Sequence, residues 1–91
     1  VLKGLQEVED ALIFHAKTKE LFNVQKRRVA ALRDSLRLAT LQYNNGQTDY
    51  LNVLDSERNL FDAELDMAKA QGDIYISLIA IYKALGGGWV D

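Results

Sequence analysis

Apolar residues recur at helical spacing along almost the whole chain. In the first half, one row repeats every seven residues, at Val1, Val8, His15, Phe22, Val29, Leu36 and Tyr43. Leu5 and Leu12 support this row early, and Leu32 and Ala39 support it late, so the stripe drifts around the helix. Such drift is expected when a nearly straight helix departs from a strict seven-residue repeat. The pattern predicts one long helix, from about residue 3 to residue 44.

The second half carries three neighbouring rows instead of one. They are Leu54, Phe61, Ala68, Tyr75 and Tyr82; Val53, Leu60, Met67, Ile74 and Ile81; and Leu51, Arg58, Leu65, Gly72 and Ile79. An isolated two-stranded coiled coil needs only two such rows. Three rows predict a helix, from about residue 49 to residue 85, that has packing neighbours on more than one side.

The only interior break between these patterns has the composition of a turn, at residues 44–49. Gly46 can adopt the left-handed conformation that closes a helix, and Asn44 and Asn45 tolerate it. Thr48 or Asp49 can cap the next helix, and we favour Asp49.

The second helix should end near Leu85, because three consecutive glycines follow in a tail of residues 86–91. Trp89 in that tail could anchor on a neighbouring surface. With no proline and no strand pattern, the sequence predicts an all-α fold, a long antiparallel two-helix coiled-coil hairpin that forms a single domain over residues 1–91.

Composition narrows the possible classes of protein. A chain of 91 residues with 48% hydrophobic residues and no cysteine is a small folded unit without a disulfide framework. Its net charge of −2 provides no basic field for nucleic acid. The longest apolar run, Ile74 to Tyr82, is too short to span a bilayer as a helix. Because the first residue is Val1, we expect a fragment of a longer protein.

Charge divides between the two predicted helices. Residues 17–37 contain seven basic side chains and two acidic ones, whereas residues 49–73 contain seven acidic side chains and two basic ones. Opposite charge favours either closure of the hairpin or pairing with a neighbouring hairpin. Exposed ion pairs contribute only about 0–1 kcal/mol each, so this pattern selects partners more than it stabilises the fold.

The sequence contains no constellation typical of an enzyme, a cofactor site or a metal site. His15 is the only histidine, and it lies in an apolar row, which favours a packed or interfacial histidine over a ligand. The basic cluster Lys26-Arg27-Arg28 is short and is typical of a solvated or salt-bridged face. We therefore expect no enzymatic activity, no cofactor and no bound metal.

One polar group near the turn remains a candidate site. Leu51, Asp55 and Arg58 share a face of the second helix, at spacings of four and three residues. By the residues alone, Asp55 and Arg58 form an ordinary helical ion pair worth a few tenths of a kcal/mol.

The chain resembles the C-terminal helical hairpin of the outer-membrane efflux proteins, the TolC/OprM family. The resemblance rests on the run from Tyr43 to Phe61, which includes Tyr43-x-x-Gly46-x-x-Asp49-Tyr50-Leu51-x-Val53-Leu54-Asp55-x-x-Arg58, and on Tyr82-Lys83-Ala84-Leu85-Gly86-Gly87-Gly88-Trp89. The opening Glu7-Val8-Glu9-Asp10-Ala11-Leu12 also fits, so the resemblance covers nearly the whole chain.

The resemblance implies a function and a location. Members of the family are trimers whose protomers supply strands to an outer-membrane barrel and helices to a periplasmic tunnel. They are the exit ducts of tripartite drug and metal pumps, with a periplasmic adaptor protein and an inner-membrane pump as partners. This chain would supply one hairpin of the tunnel, in the periplasm.

The resemblance also assigns roles to individual residues. The turn would be the end that docks the adaptor, with Tyr43, Asn45, Gly46, Gln47, Thr48 and Asp49 as its residues. Asp55 matches a ring aspartate at the periplasmic constriction, and Leu51 and Arg58 match neighbouring gate positions. Asn52 departs from TolC-like members, which carry a second aspartate there.

A gate at this position is physically reasonable. Three copies of Asp55 around a narrow pore would concentrate negative potential and favour cations. Arg58 could tether each aspartate in the closed state. The alternative is a free-standing coiled-coil module that self-associates into a helical bundle, and the isolated fragment is expected to dimerise in this way because its exposed rows need partners. The sequence names neither the exported substrate nor the particular adaptor and pump.

Overall fold

Two helices account for nearly all of the chain. The computed structural model describes residues 2–86, with side chains from residue 4 onward. Helix α1 spans Leu2–Asn44 and helix α2 spans Tyr50–Gly86. Residues 87–91 lie outside the described part, as does the anchoring role expected for Trp89. The all-α antiparallel hairpin is confirmed, and no residue between 2 and 86 lies in a strand.

Backbone packing divides the chain into two compact units. The turn unit is Val24–Ala68, and the terminal unit combines the residues up to Asn23 with those from Lys69 onward. Each unit contains one segment of α1 and one segment of α2 in antiparallel contact, and each has its own small core.

The core of the turn unit is aliphatic. Val29 and Ala39 of α1 are buried, as are Val53 and Ala63 of α2. Leu32, Leu36, Leu60 and Met67 are half-buried around them. These residues occupy the positions that face the opposite helix in a coiled coil, so the unit is stabilised mainly by burial of apolar surface.

The core of the terminal unit is smaller and partly polar. Ala11 and Ala70 are buried there together with Thr18 and Ser77, whose hydroxyl groups lie inside the interface. Val8, His15, Phe22, Ile74 and Ile81 are half-buried at its margin. Every buried side-chain nitrogen and oxygen of the described residues has a hydrogen-bond partner, so the polar core carries no orphaned group.

One expectation about the early row of α1 was wrong. Leu5 and Leu12 do not support the early part of α1, because both are exposed, and Ala11 and Thr18 occupy the interface instead. On α2, only the Val53 row faces α1. It is accompanied by a row of small residues that the sequence analysis overlooked, namely Ser56, Ala63, Ala70, Ser77 and Ala84. Small side chains let two helices approach closely, so they outcompete bulkier rows for the interface.

The other two apolar rows of α2 point away from α1. We call them together the outer seam, which consists of Leu51, Leu54, Arg58, Phe61, Leu65, Ala68, Gly72, Tyr75, Ile79 and Tyr82. Phe61 is 59% exposed and Tyr75 is 60% exposed, although both are large aromatic residues. The residues of this seam alternate at spacings of three and four, which is the spacing of a second coiled-coil interface. The prediction that α2 has packing neighbours on more than one side stays a prediction, because α1 covers only one side of α2.

Candidate functional site

The turn that closes the hairpin is built from backbone hydrogen bonds around a left-handed glycine. Gly46 has a φ of 73°, and its N–H donates to the carbonyl of Tyr43 at 3.0 Å. The N–H of Gln47 donates to the carbonyl of Gln42 at 2.8 Å. This pair of bonds is the Schellman motif, which satisfies the last carbonyls of a helix. The glycine is required because a side chain would be strained at this φ.

Asp49 begins α2 as its capping residue. The N–H of Asn52 donates to Asp49 Oδ1 at 3.3 Å, which satisfies one free donor of the first turn of α2. The sequence-based preference for Asp49 over Thr48 therefore agrees with this geometry. Thr48 is half-buried in the turn, whereas Asn45, Gly46 and Gln47 are exposed.

Two tyrosines join the helices across the turn. The rings of Tyr43 and Tyr50 contact each other edge to face, with centroids 5.1 Å apart and planes inclined by 63°. Such aromatic pairs contribute about 0.5–1.5 kcal/mol beyond the burial of their area. Tyr43 was predicted to belong to the turn, but its contact with Tyr50 was not predicted. The turn is thus closed by hydrogen bonds and an aromatic contact, and it exposes polar side chains at its apex.

The four candidate gate residues lie on the first turns of α2. Leu51, Asn52, Asp55 and Arg58 are all exposed. Arg58 Nη2 lies 4.0 Å from Asp55 Oδ1, at the limit for an ion pair, and both side chains are more than two-thirds exposed. A pair of this kind adds little stability, so both groups are available to other partners.

Oppositely charged side chains form ion pairs between the two helices in the turn unit. In the turn unit, Arg28 Nη1 donates to Asp66 Oδ2 at 2.8 Å, and Arg33 Nη2 donates to Glu64 Oε2 at 3.2 Å. Both pairs join α1 to α2 at the solvent-exposed edge of the interface. Lys26 and Arg27 are also exposed, as expected for a solvated basic face.

His15 lies in a hydrogen-bonded cluster in the terminal unit. Its Nδ1 is 2.7 Å from Ser77 Oγ, which is also 2.7 Å from the carbonyl of Ile74. The single hydroxyl proton of Ser77 is donated to that carbonyl, so we assign the remaining interaction as His15 Nδ1–H donating to Ser77 Oγ. Thr18 donates to the carbonyl of His15 at 2.8 Å and lies 3.3 Å from Ser77 Oγ. His15 is therefore a packed, cross-helix residue, as the sequence predicted.

The described residues contain little else that could carry chemistry. No group of three or more His, Asp or Glu side chains among them could hold a metal ion. No helix in the described part is both long and apolar enough to cross a membrane. A shallow groove of about 390 Å³ lies beside His15 in the terminal unit and is lined by Lys19, Phe22, Asn23, Ile74 and Leu78.

The chain matches known proteins that are described as efflux proteins. The family model described as outer membrane efflux protein matches residues 1–87. The chain is 34% identical over 89 residues to the cation efflux system protein CusC of Escherichia coli O6:H1, covering 98% of this chain and 19% of that protein. It is 37% identical over 88 residues to the probable efflux pump outer membrane protein TtgC of Pseudomonas putida KT2440, covering 97% of this chain and 18% of that protein. No solved structure matches.

The chain therefore spans about a fifth of the length of the curated relatives that it matches. The family match covers nearly all of its residues, including the turn and both helices. This chain belongs to the outer membrane efflux protein family.

Proposed function

We propose that this chain is one hairpin of the periplasmic helical tunnel of an outer-membrane efflux duct. The observation that carries the proposal is the outer seam of α2. A helix that packs on one side against α1 and exposes a second regular apolar seam is suited to a wall of helices, in which each helix has two neighbours. The names of related proteins include a cation efflux system protein, a toluene efflux pump outer membrane protein and a solvent efflux pump outer membrane protein.

In this proposal the parent protein is a trimer that works passively. A periplasmic adaptor and an inner-membrane pump supply the coupling to energy. The turn is the docking end for the adaptor. Its capped, glycine-closed geometry holds Asn45, Gln47 and Thr48 in a fixed arrangement, which reduces the entropy lost on binding.

The proposal assigns the gate to Asp55 and its neighbours. Asp55 is an exposed carboxylate one helical turn beyond the cap, and its contact with Arg58 is long and solvated. Three copies of such a carboxylate around a pore would attract cations, and Arg58 would tether them in the closed state. Leu51 and Asn52 complete the constriction. Opening would move the turns apart, and the adaptor could drive this only by binding the open form more tightly.

The test is the single-channel conductance of the full-length protein in a planar bilayer. We expect a low, cation-selective conductance, and we expect Asp55→Ala to raise the conductance or to reduce the selectivity. Glu57→Ala is the matched control, because Glu57 is an exposed acid on the same helix but on a different face. An unchanged trace for Asp55→Ala, or equal effects of the two variants, would exclude the gate.

The alternative function is a free-standing coiled-coil module. The same exposed outer seam favours it, because two hairpins could cover their seams by forming a helical bundle. Under this alternative, Asp55→Ala changes stability slightly and has no effect on transport. Failure of the full-length protein to form any channel would support the alternative.

A further inference from the structure

Large, small and charged side chains occupy different positions of the outer seam along α2. Large residues are concentrated on either side of a small central pair, Ala68 and Gly72, and the seam lies on one uninterrupted helix. An ideal carbon atom built on Gly72 meets no heavy atom within 4 Å, so Gly72 is an open notch in this surface.

We propose that the outer seam binds the outer seam of a second copy of this chain in antiparallel orientation, with Phe61 of each chain over Gly72 of the other. In an antiparallel coiled coil, the residues of one row face those of the other row of the partner helix. The register that places Phe61 over the notch of Gly72 also places Leu65 opposite Ala68. Large side chains therefore face small ones throughout the centre of the interface, which is how close packing is achieved.

The same register pairs the remaining polar side chains. Arg58 falls opposite Tyr75 of the second copy, where a guanidinium can stack on an aromatic ring. Asp62 and Lys69 flank the seam, and both are exposed in the single chain. In this register Asp62 of each copy faces Lys69 of the other, and the two-fold symmetry produces this pair twice.

A parallel arrangement of the same seam is less favourable. It would place Arg58 opposite Arg58 of the second copy inside the interface, where like charges repel. It would also stack Phe61 on Phe61 and leave the two copies of Gly72 facing each other across a void. Charge and size therefore both select the antiparallel orientation.

This inference goes beyond the duct and does not depend on it. In an assembled duct, helices of the assembly would cover the outer seam apart from Leu51 and Arg58, which are assigned to the gate. The antiparallel pair concerns the chain outside such an assembly, so its failure would leave the conductance test unaffected.

The first experiment is sedimentation equilibrium of the 91-residue chain and of Gly72→Leu. We expect a dimer for the wild type in the micromolar range and a roughly tenfold or greater weakening for Gly72→Leu, because filling the notch overpacks the interface. The variant adds apolar surface and replaces a helix-interior glycine, so neither poor folding nor lower hydrophobicity can explain a loss. Gly4→Leu is the matched control, because it makes the same exchange at an open position of α1 and should leave the dimer unchanged.

The second experiment determines orientation by disulfide formation. The chain has no cysteine, so introduced thiols are the only ones present. A mixture of a Leu54→Cys chain and an Ile79→Cys chain should form mainly the mixed disulfide, because these residues face each other in the proposed register. Predominance of the two homodisulfides would overturn the proposal, as would a monomeric wild type or unweakened association of Gly72→Leu.

Discussion

The two units of the hairpin hold the same two helices together by different means. The turn unit buries Val29 and Val53 almost completely and places its charged pairs, Arg28–Asp66 and Arg33–Glu64, at the solvent-exposed edge. The terminal unit instead buries hydroxyl groups and joins its helices through His15 and Ser77. Apolar burial stabilises without strong directionality, whereas a buried hydrogen bond requires one particular alignment of the helices. We therefore expect the turn unit to contribute more of the stability and the terminal unit to fix the alignment of the helices.

The largest effect should come from removing the aliphatic core of the turn unit. Val29→Ala deletes buried methyl groups and should lower the free energy of unfolding by about 1.5–3 kcal/mol. Chemical denaturation followed by circular dichroism at fixed chain concentration measures this change. Val24→Ala is the control, because Val24 is exposed on the same helix and should change stability little. Equal losses for the two variants would show that the turn unit has no dominant core.

The second-largest effect should come from removing a hydroxyl group from the polar core of the terminal unit. Ser77→Ala leaves the N–H of His15 without its acceptor and should cost about 1–3 kcal/mol. Ser56→Ala is the matched control, since Ser56 occupies the same row of α2 in the turn unit but its hydroxyl group makes no hydrogen bond with the described residues. Thermal unfolding of both variants measures the difference. If both serines proved equally replaceable, the cross-helix hydrogen bond would not contribute to register.

The third prediction compares the changes in stability caused by replacing one glycine in each unit. Gly46→Ala should destabilise the turn unit by about 1 kcal/mol, because the left-handed backbone of Gly46 disfavours a side chain even though the surrounding space is open. Gly72→Ala lies inside α2 of the terminal unit and should have the opposite sign, stabilising by roughly 0.5–1 kcal/mol. Gly46→Asn should recover part of the loss, because asparagine tolerates this conformation. The comparison fails if Gly46→Ala is neutral.

The smallest effect should come from the charged edge of the turn unit. A double-mutant cycle of Arg28→Ala and Asp66→Ala should give a coupling energy of about 0.2–1 kcal/mol, because both side chains are about half exposed and their attraction is screened by solvent. The coupling should decrease further in high salt. A coupling energy well above this range would show that the charged pair contributes substantially to the stability of the turn unit, and it would contradict the dominance of the aliphatic core.

Some features of the candidate site follow from local sequence alone. The Schellman turn at Gly46 and the cap at Asp49 each depend on a few adjacent residues, so composition and spacing predict them. The contact of Tyr43 with Tyr50 depends on how the turn aligns the ends of the two helices, and the cluster of His15 with Ser77 joins residues that are 62 positions apart. Their pairing is decided by the register of the two helices, which single-sequence spacing does not provide.

By itself, the sequence determined the two helices, the break between them and the residues that close it, because these depend on hydrogen bonds and backbone preferences within one or two turns of helix. Only the tertiary structure decided which face of α2 packs against α1. The sequence predicted three neighbouring rows on α2, and their spacing did not distinguish the row that contacts α1. The Val53 row packs against α1, with Val53 buried and its other members half-buried. Ala63, Ala70 and Ser77 are buried beside it, because small side chains permit a closer approach of the two helices. That choice left Phe61 and Tyr75 facing solvent, and they form the surface on which the proposals for the duct and for the antiparallel pair both depend.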